Sequence, residues 1–283
     1  MKARLYFAAT VALGIVCSAN GQGPPAPTYI PQTKFARGQD VVPSFDGWIR
    51  NPDGTFTLVF GYLNRNYEEE LAIPAGPDNK VEPGGSDQGQ PTYFLQRRHA
   101  WVFRVTIPAD FGNKEVIWTI TVNGRSEKAY GHLYPSEEIL ERLIQTHGNL
   151  SPGLDNPNQP PSISITPISV ATVGSPITLS AMVSDDGLPK PPVPKKSATM
   201  DQPKGQSNSA ARQRLGLSVT WFEYRGPAKV RFDEAGPVLV TDGHAVTKAR
   251  FAQPGRYVLR ATASDGELST TADITIDVAS EQR

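Results

Sequence analysis

The sequence predicts an all-β chain of two β-sandwich domains, joined by a short helix and a Pro/Gly-rich hinge. Three observations carry that expectation. Apolar residues alternate with polar ones at a period of two through most apolar stretches, which is the signature of half-buried strands. The 26 prolines and 25 glycines among 283 residues are enough to end many short strands in turns. Three stretches poor in large apolar side chains, 22–39, 148–161 and 188–216, divide the chain into two strand-rich blocks.

Residues 1–21 read as an export signal. Lys2 and Arg4 form a basic start, Leu5–Val16 is an uncharged apolar run, and small residues follow at Cys17, Ser18, Ala19 and Gly21. Those 12 residues are too few for a membrane span, which takes roughly 20, and no second such run appears. Val16 stands where a lipidated cysteine would be preceded by a small residue, which argues against a lipid on Cys17. The expected location is therefore secreted or periplasmic, with no transmembrane segment in the mature chain. Cys17 is the only cysteine, so a mature chain without it has neither disulfides nor thiol chemistry, and its stability must come from apolar cores. The whole chain is formally neutral, and losing Lys2 and Arg4 leaves about −2, with no basic field to attract nucleic acid.

After a proline-rich linker at 22–39, the first block spans 40–134. Asn51-Pro52-Asp53-Gly54 is a strong turn between strands at 47–50 and 55–63, and Phe56, Leu58, Phe60 and Tyr62 alternate onto one face. Further strands are expected at 101–107 and 116–122. Ser136 as N-cap, Glu137 and Glu138 in the first turn, and Ile139, Leu140, Leu143 and Ile144 on one side predict a helix within the connecting region 135–160. That helix reads as a peg that covers an open edge or joins the domains.

The second block, 161–280, is more regular. Five alternating sets run through Ile177–Val183, Leu217–Trp221, Ala245–Phe251, Tyr257–Ala263 and Ala272–Val278, the last with Thr271, Asp273, Thr275 and Asp277 in the opposite phase. With 162–166 and 229–232 this makes about seven strands, which fits an immunoglobulin-like sandwich. Residues 188–216 interrupt it. They carry Lys190, Lys195, Lys196, Lys204, Arg212 and Arg214 against Asp201, with too little apolar surface to repay ordering, and are expected to form a disordered insertion.

Pro254-Gly255-Arg256-Tyr257, the alternating strand after it and the exit Asp265-Gly266 resemble the late strand of bacterial PKD-type domains. Val219-Thr220-Trp221 with Gly226-Pro227 resembles that family's central tryptophan strand. The resemblance covers about 160–280 and departs from the family at the long insertion. It implies an extracellular β-sandwich, often a spacer or adhesion module, and names no ligand.

No catalytic motif is present: the four histidines lack zinc-ligand spacing, and there is no nucleophile elbow, phosphate loop or dinucleotide fingerprint. Trp118 and Trp221 are in phase with apolar neighbours and read as core, whereas Trp48 and Trp101 are candidates for a carbohydrate platform. Glu68-Glu69-Glu70 reads either as an acidic ligand patch or as a solubilising loop or edge. Asp185, Asp186, Asp265 and Glu267 end two strands whose loops share one end of an immunoglobulin-like sandwich. They are therefore either converging calcium ligands or residues that merely turn the chain. The expected function is a non-catalytic binding or spacer protein of the cell exterior, acting in adhesion or as an accessory to an envelope assembly, with an extracellular protein or polysaccharide as partner. A carbohydrate-binding module and a secreted hydrolase with an unrecognised site are the alternatives.

Overall fold

A computed structural model describes residues 34–150, 153, 155–168, 170–190 and 216–280. The export signal and most of the basic insertion lie outside them. The described chain is built of strands, as expected. In the first block these are β1 (Val41–Arg50), β2 (Phe56–Asn64), β3 (Leu71–Ala72), β4 (Asn79–Glu82), β5 (Tyr93–Phe94), β6 (Arg97–Ile107), β7 (Val116–Val122) and β8 (Arg125–Gly131). The second block holds β9 (Ser162–Ile165), β10 (Val170–Thr172), β11 (Ile177–Ser184), β12 (Ser218–Arg225), β13 (Val230–Phe232), β14 (Val238–Leu239), β15 (His244–Phe251), β16 (Gly255–Ser264) and β17 (Ser269–Ala279). A 3₁₀ turn, Pro135–Glu137, and a single short helix, α1 (Glu141–Gln145), lie between the blocks.

In the first block a β1-β2-β6 sheet faces a β4-β7-β8 sheet, and β3 pairs with β5 beside them. Leu58, Phe60, Phe94, Phe103, Trp118 and Ile120 fill the space between. β2 is more deeply buried than its alternation implies, because Val59 and Gly61 in the opposite phase are covered too. The cover over Gly61 is ionic. A β-carbon there would collide with Asp46 Oδ2 and Arg98 Nη1, so only glycine leaves room for that pair.

In the second block the sheets are β10-β17-β16-β12-β14 and β13-β15-β11-β9. The alternating residues of β15 and β16 point inward as expected: Ala245, Ala249 and Phe251 meet Tyr257, Leu259, Ala261 and Ala263 in one core. Trp221 belongs to that core at 6% exposure.

The expected helix is interrupted. Glu138 and Leu140 are extended, the Ile139 N–H donates to the Trp48 carbonyl at 2.8 Å, and Glu138 bridges in parallel to Trp48. The open edge of β1 offers the segment a strand partner, and that pairing replaces the middle helical turn. Close approach is possible because Gly47 lies under it, where a β-carbon would be 2.8 Å from the Glu137 carbonyl oxygen.

Candidate functional site

Three places in the described residues gather polar groups: the contact between the two sandwiches, a cleft beside it, and the acidic end of the second sandwich.

The contact grows from a buried amide network. Asn79, fully buried on β4, donates to the Ile73 and Pro91 carbonyls at 2.9 and 2.8 Å, and its oxygen accepts the Trp118 indole N–H at 2.9 Å. Gln90, also fully buried, donates to the Asn79 and Ser86 carbonyls and accepts the Gln88 N–H. These bonds satisfy groups that would be costly to bury alone, and so they hold the 83–92 loop in one shape. The loop then presents its outer side to β12. The Tyr224 hydroxyl donates to the Gly89 carbonyl at 2.8 Å, and Arg225 pairs with Asp87 at 2.8 Å. The Thr92 N–H donates to the Tyr224 carbonyl at 3.2 Å, and the Gly226 N–H donates to Thr92 Oγ1 at 3.1 Å. Glu70 accepts from Tyr93 and Gln96 on its own side and from Lys229 of the second block at 2.9 Å. Glu70 is thus neither a ligand patch nor a solubilising charge but an anchor between the blocks. Arg260 completes the contact: it grips Asp273 with two bonds, donates to the Val102 carbonyl at 2.6 Å, and stacks 3.8 Å over the Tyr224 ring.

Beside the contact lies a cleft of about 510 Å³, lined by Trp101, Arg98, Arg104, Arg260, His147 and Ser269 among others. Asp46 shapes its wall by accepting from Arg98, from Ser44 and from the Trp101 N–H, which holds Trp101 at a positive φ of 55°. Each arginine already has a carboxylate: Asp46 for Arg98, Glu141 for Arg104 and Asp273 for Arg260. The Ser269 hydroxyl lies 2.9 Å from His147 Nε2 and donates to the Gln145 carbonyl at 3.2 Å. With the hydroxyl committed to a carbonyl, the pair pins α1 to β17 and does not present a free nucleophile. Burial holds the His147 imidazole below its ordinary pKa.

Trp48 does not belong to a sugar platform. It is 3% exposed, its indole N–H is spent on the Tyr134 carbonyl, and Phe56 packs edge-on against it. Trp101 is half-buried in the cleft wall, so the two do not form an exposed pair. Among the described residues, His132 and Glu137 approach to 2.9 Å without forming a hydrogen bond, and neither residue lines the cleft.

At the acidic end, the two Asp-Gly turns use their carboxylates differently. Asp185 Oδ2 accepts the Gly187 N–H, and Asp265 Oδ1 accepts the N–H groups of Glu267 and Leu268. Asp186 is fully occupied, by the Leu188 N–H on one oxygen and the Gln159 N–H on the other. Glu267 receives the Asn158 side-chain amide at 3.5 Å. Burial raises the Asp185 pKa, and the charges of Asp265 and Asp186 raise it further, so these groups are electrostatic neighbours. Among the described residues, no three acidic, histidine or cysteine side chains gather in a metal-holding group, so the four carboxylates do not converge as one set.

Two facing sheets with β10 parallel to the last strand, β17, define the second block. Its fold is immunoglobulin-like. Among solved structures, the chain is similar to the PKD domain of human KIAA0319, with 15% identity, 46% of this chain and 92% of that chain covered, and a TM-score of 0.24. It is also similar to domains 4 and 5 of the S-layer protein SbsC (8% identity, 59% and 66% covered, TM-score 0.26). A chimeric titin Z1Z2 tandem covers more of it (10% identity, 83% and 93% covered, TM-score 0.24). Likenesses this low carry no argument about function. No family model and no curated protein matches the chain.

Proposed function

We propose that the protein is an exported, non-catalytic module of the cell exterior, secreted or periplasmic. In this reading its two sandwiches act as one docked spacer-and-binding unit, with an extracellular protein or polysaccharide as partner. The contact between the sandwiches carries the reading. Tyr224 and Thr92 are 6% and 8% exposed, and two main-chain N–H groups cross between the blocks. A flexible tether would not need to bury and satisfy those groups, whereas a unit that holds a fixed geometry does. The PKD-like motif in 254–266 and the signal-like start fit a module of this kind. No helix among the described residues is long and apolar enough to cross a membrane.

Two experiments test the proposal. Intact mass of protein recovered from the periplasm or medium should place the mature start at Asn20 or Gln22; retention of residues 1–16 would contradict export. Purified protein passed over immobilised envelope polysaccharide and exoprotein fractions should be retained by one of them and leave its ligand chemically unchanged. Conversion of the ligand would overturn the non-catalytic reading.

A further inference from the structure

Three buried side-chain oxygens at the acidic end have no hydrogen-bond partner: Asp185 Oδ1, Asp265 Oδ2 and Asn158 Oδ1. Asp265 is 6% exposed and Asn158 only 1%. An orphaned buried acceptor is costly, and more so when it carries charge, so three in one neighbourhood call for a shared donor or cation. The first two belong to the Asp-Gly turns, each of which spends one carboxylate oxygen on its own backbone and leaves the other over.

Asn158 is the independent observation, because it is neither acidic nor part of either turn. It sits between them. The Gln159 N–H is bonded to Asp186 Oδ2, and the Asn158 amide nitrogen reaches Glu267 Oε2, so its amide spans from one turn towards the other with its oxygen unspent. Arg142 is the nearby cation: its Nη1 donates to the Asn158 main-chain carbonyl, its Nε and Nη2 are buried without a partner of their own, and it pairs with neither Asp185 nor Asp265. All three orphans are hard oxygen acceptors, two of them anionic, which is the chemistry a calcium ion takes with water completing its 6–8 ligands.

We propose that Asp185, Asp265 and Asn158 form a calcium site that ties the segment entering the second sandwich to two of its end loops. The site does not depend on the export or partner reading, and its failure would leave that reading standing. Bound there, calcium neutralises two neighbouring carboxylates and fixes Asn158 ahead of β9.

The test uses the full mature chain stripped with chelator and measured at matched ionic strength. With three protein ligands on loops, a Kd of about 1 mM is expected. At 10 mM calcium chloride this is an eleven-fold gain in the folding constant, or about 1.4 kcal/mol. The melting temperature should rise by about 3–5 °C. Magnesium chloride should give less than half the shift, because magnesium sheds its water reluctantly. Asp185→Asn and Asp265→Asn keep the oxygens that cap the turns, so both should fold and melt no lower than wild type in chelator, yet lose the calcium shift. Asn158→Asp should do the reverse, tightening calcium several-fold while lowering stability in chelator. No calcium shift in the wild type, or a shift that survives in both aspartate variants, would overturn the site.

Discussion

Glu223 offers a sharp test of the packing at the sandwich contact. It lies on β12 at 3% exposure; its Oε2 accepts the Val230 N–H at 2.8 Å, while its Oε1 has no partner. Burial pushes its pKa up to about 8; the Val230 N–H opposes this, the Glu70 charge adds to it, and Lys229 partly offsets it. Between 4.5, the ordinary value, and about 8, the folded chain therefore keeps a proton that the unfolded chain has released. Unfolding releases that proton, so stability falls as pH rises through this window and levels off on either side. At about 1.4 kcal/mol per pH unit the ceiling is about 5 kcal/mol, and relaxation around the carboxylate should reduce it to about 2–4 kcal/mol. His99 and His147 work in the opposite direction. Burial holds both imidazoles below their ordinary pKa, so each adds stability as pH rises through the range near 6.5. The wild-type curve alone is thus ambiguous, and the difference from Glu223→Gln is the diagnostic quantity. The glutamine keeps an oxygen for the Val230 N–H and cannot ionise. Urea titrations at intervals from pH 5 to 9 should show the variant gaining on wild type by about 2–4 kcal/mol across that range. A difference that is flat with pH, or of opposite slope, would refute the buried, raised carboxyl.

Further outcomes follow from the same packing. Trp221→Ala should cost about 3–5 kcal/mol in chemical denaturation, as a large aromatic removed from a closed core; a loss below about 1 kcal/mol would put Trp221 at the surface. Asn79→Ala strands the Ile73 and Pro91 carbonyls and the Trp118 N–H, so it should cost about 3 kcal/mol or more and raise hydrogen exchange across the 83–92 loop. Gly61→Ala should cost about 1–3 kcal/mol by forcing Asp46 and Arg98 apart, and tryptophan fluorescence should report the movement of Trp101.

How much of this was legible in the sequence differs between the blocks. The strands of the second sandwich could be read almost residue by residue, because one wet face enforces strict alternation in β15, β16 and β17. β2 was harder: a charged pair from β1 and β6 covers its outer face, so its polar phase is buried as well. The broken helix at 138–140 was not legible, because its amphipathic spacing is real and the competing strand partner, the edge at Trp48, lies some ninety positions away. The contact loop escaped for a related reason. Pro83-Gly84-Gly85 and Asp87-Gln88-Gly89 have the composition of any surface turn, and only the buried amides of Asn79 and Gln90 make the loop rigid. At the acidic end, the two Asp-Gly pairs look alike in the sequence, but the structure spends their carboxylates differently. Asp186 is consumed by backbone, and Asn158 could not be weighed because it lies in a stretch that reads as hinge. A buried asparagine between two prolines, Pro157 and Pro160, was the available signal.

The central claim is that the two sandwiches form one docked unit, and backbone ¹⁵N relaxation with residual dipolar couplings on the chain tests it most directly. The account predicts one alignment tensor and one correlation time for residues 41–131 and 162–279, with Arg225→Glu and Lys229→Glu together splitting them into two. Separate tensors in the wild type would contradict it.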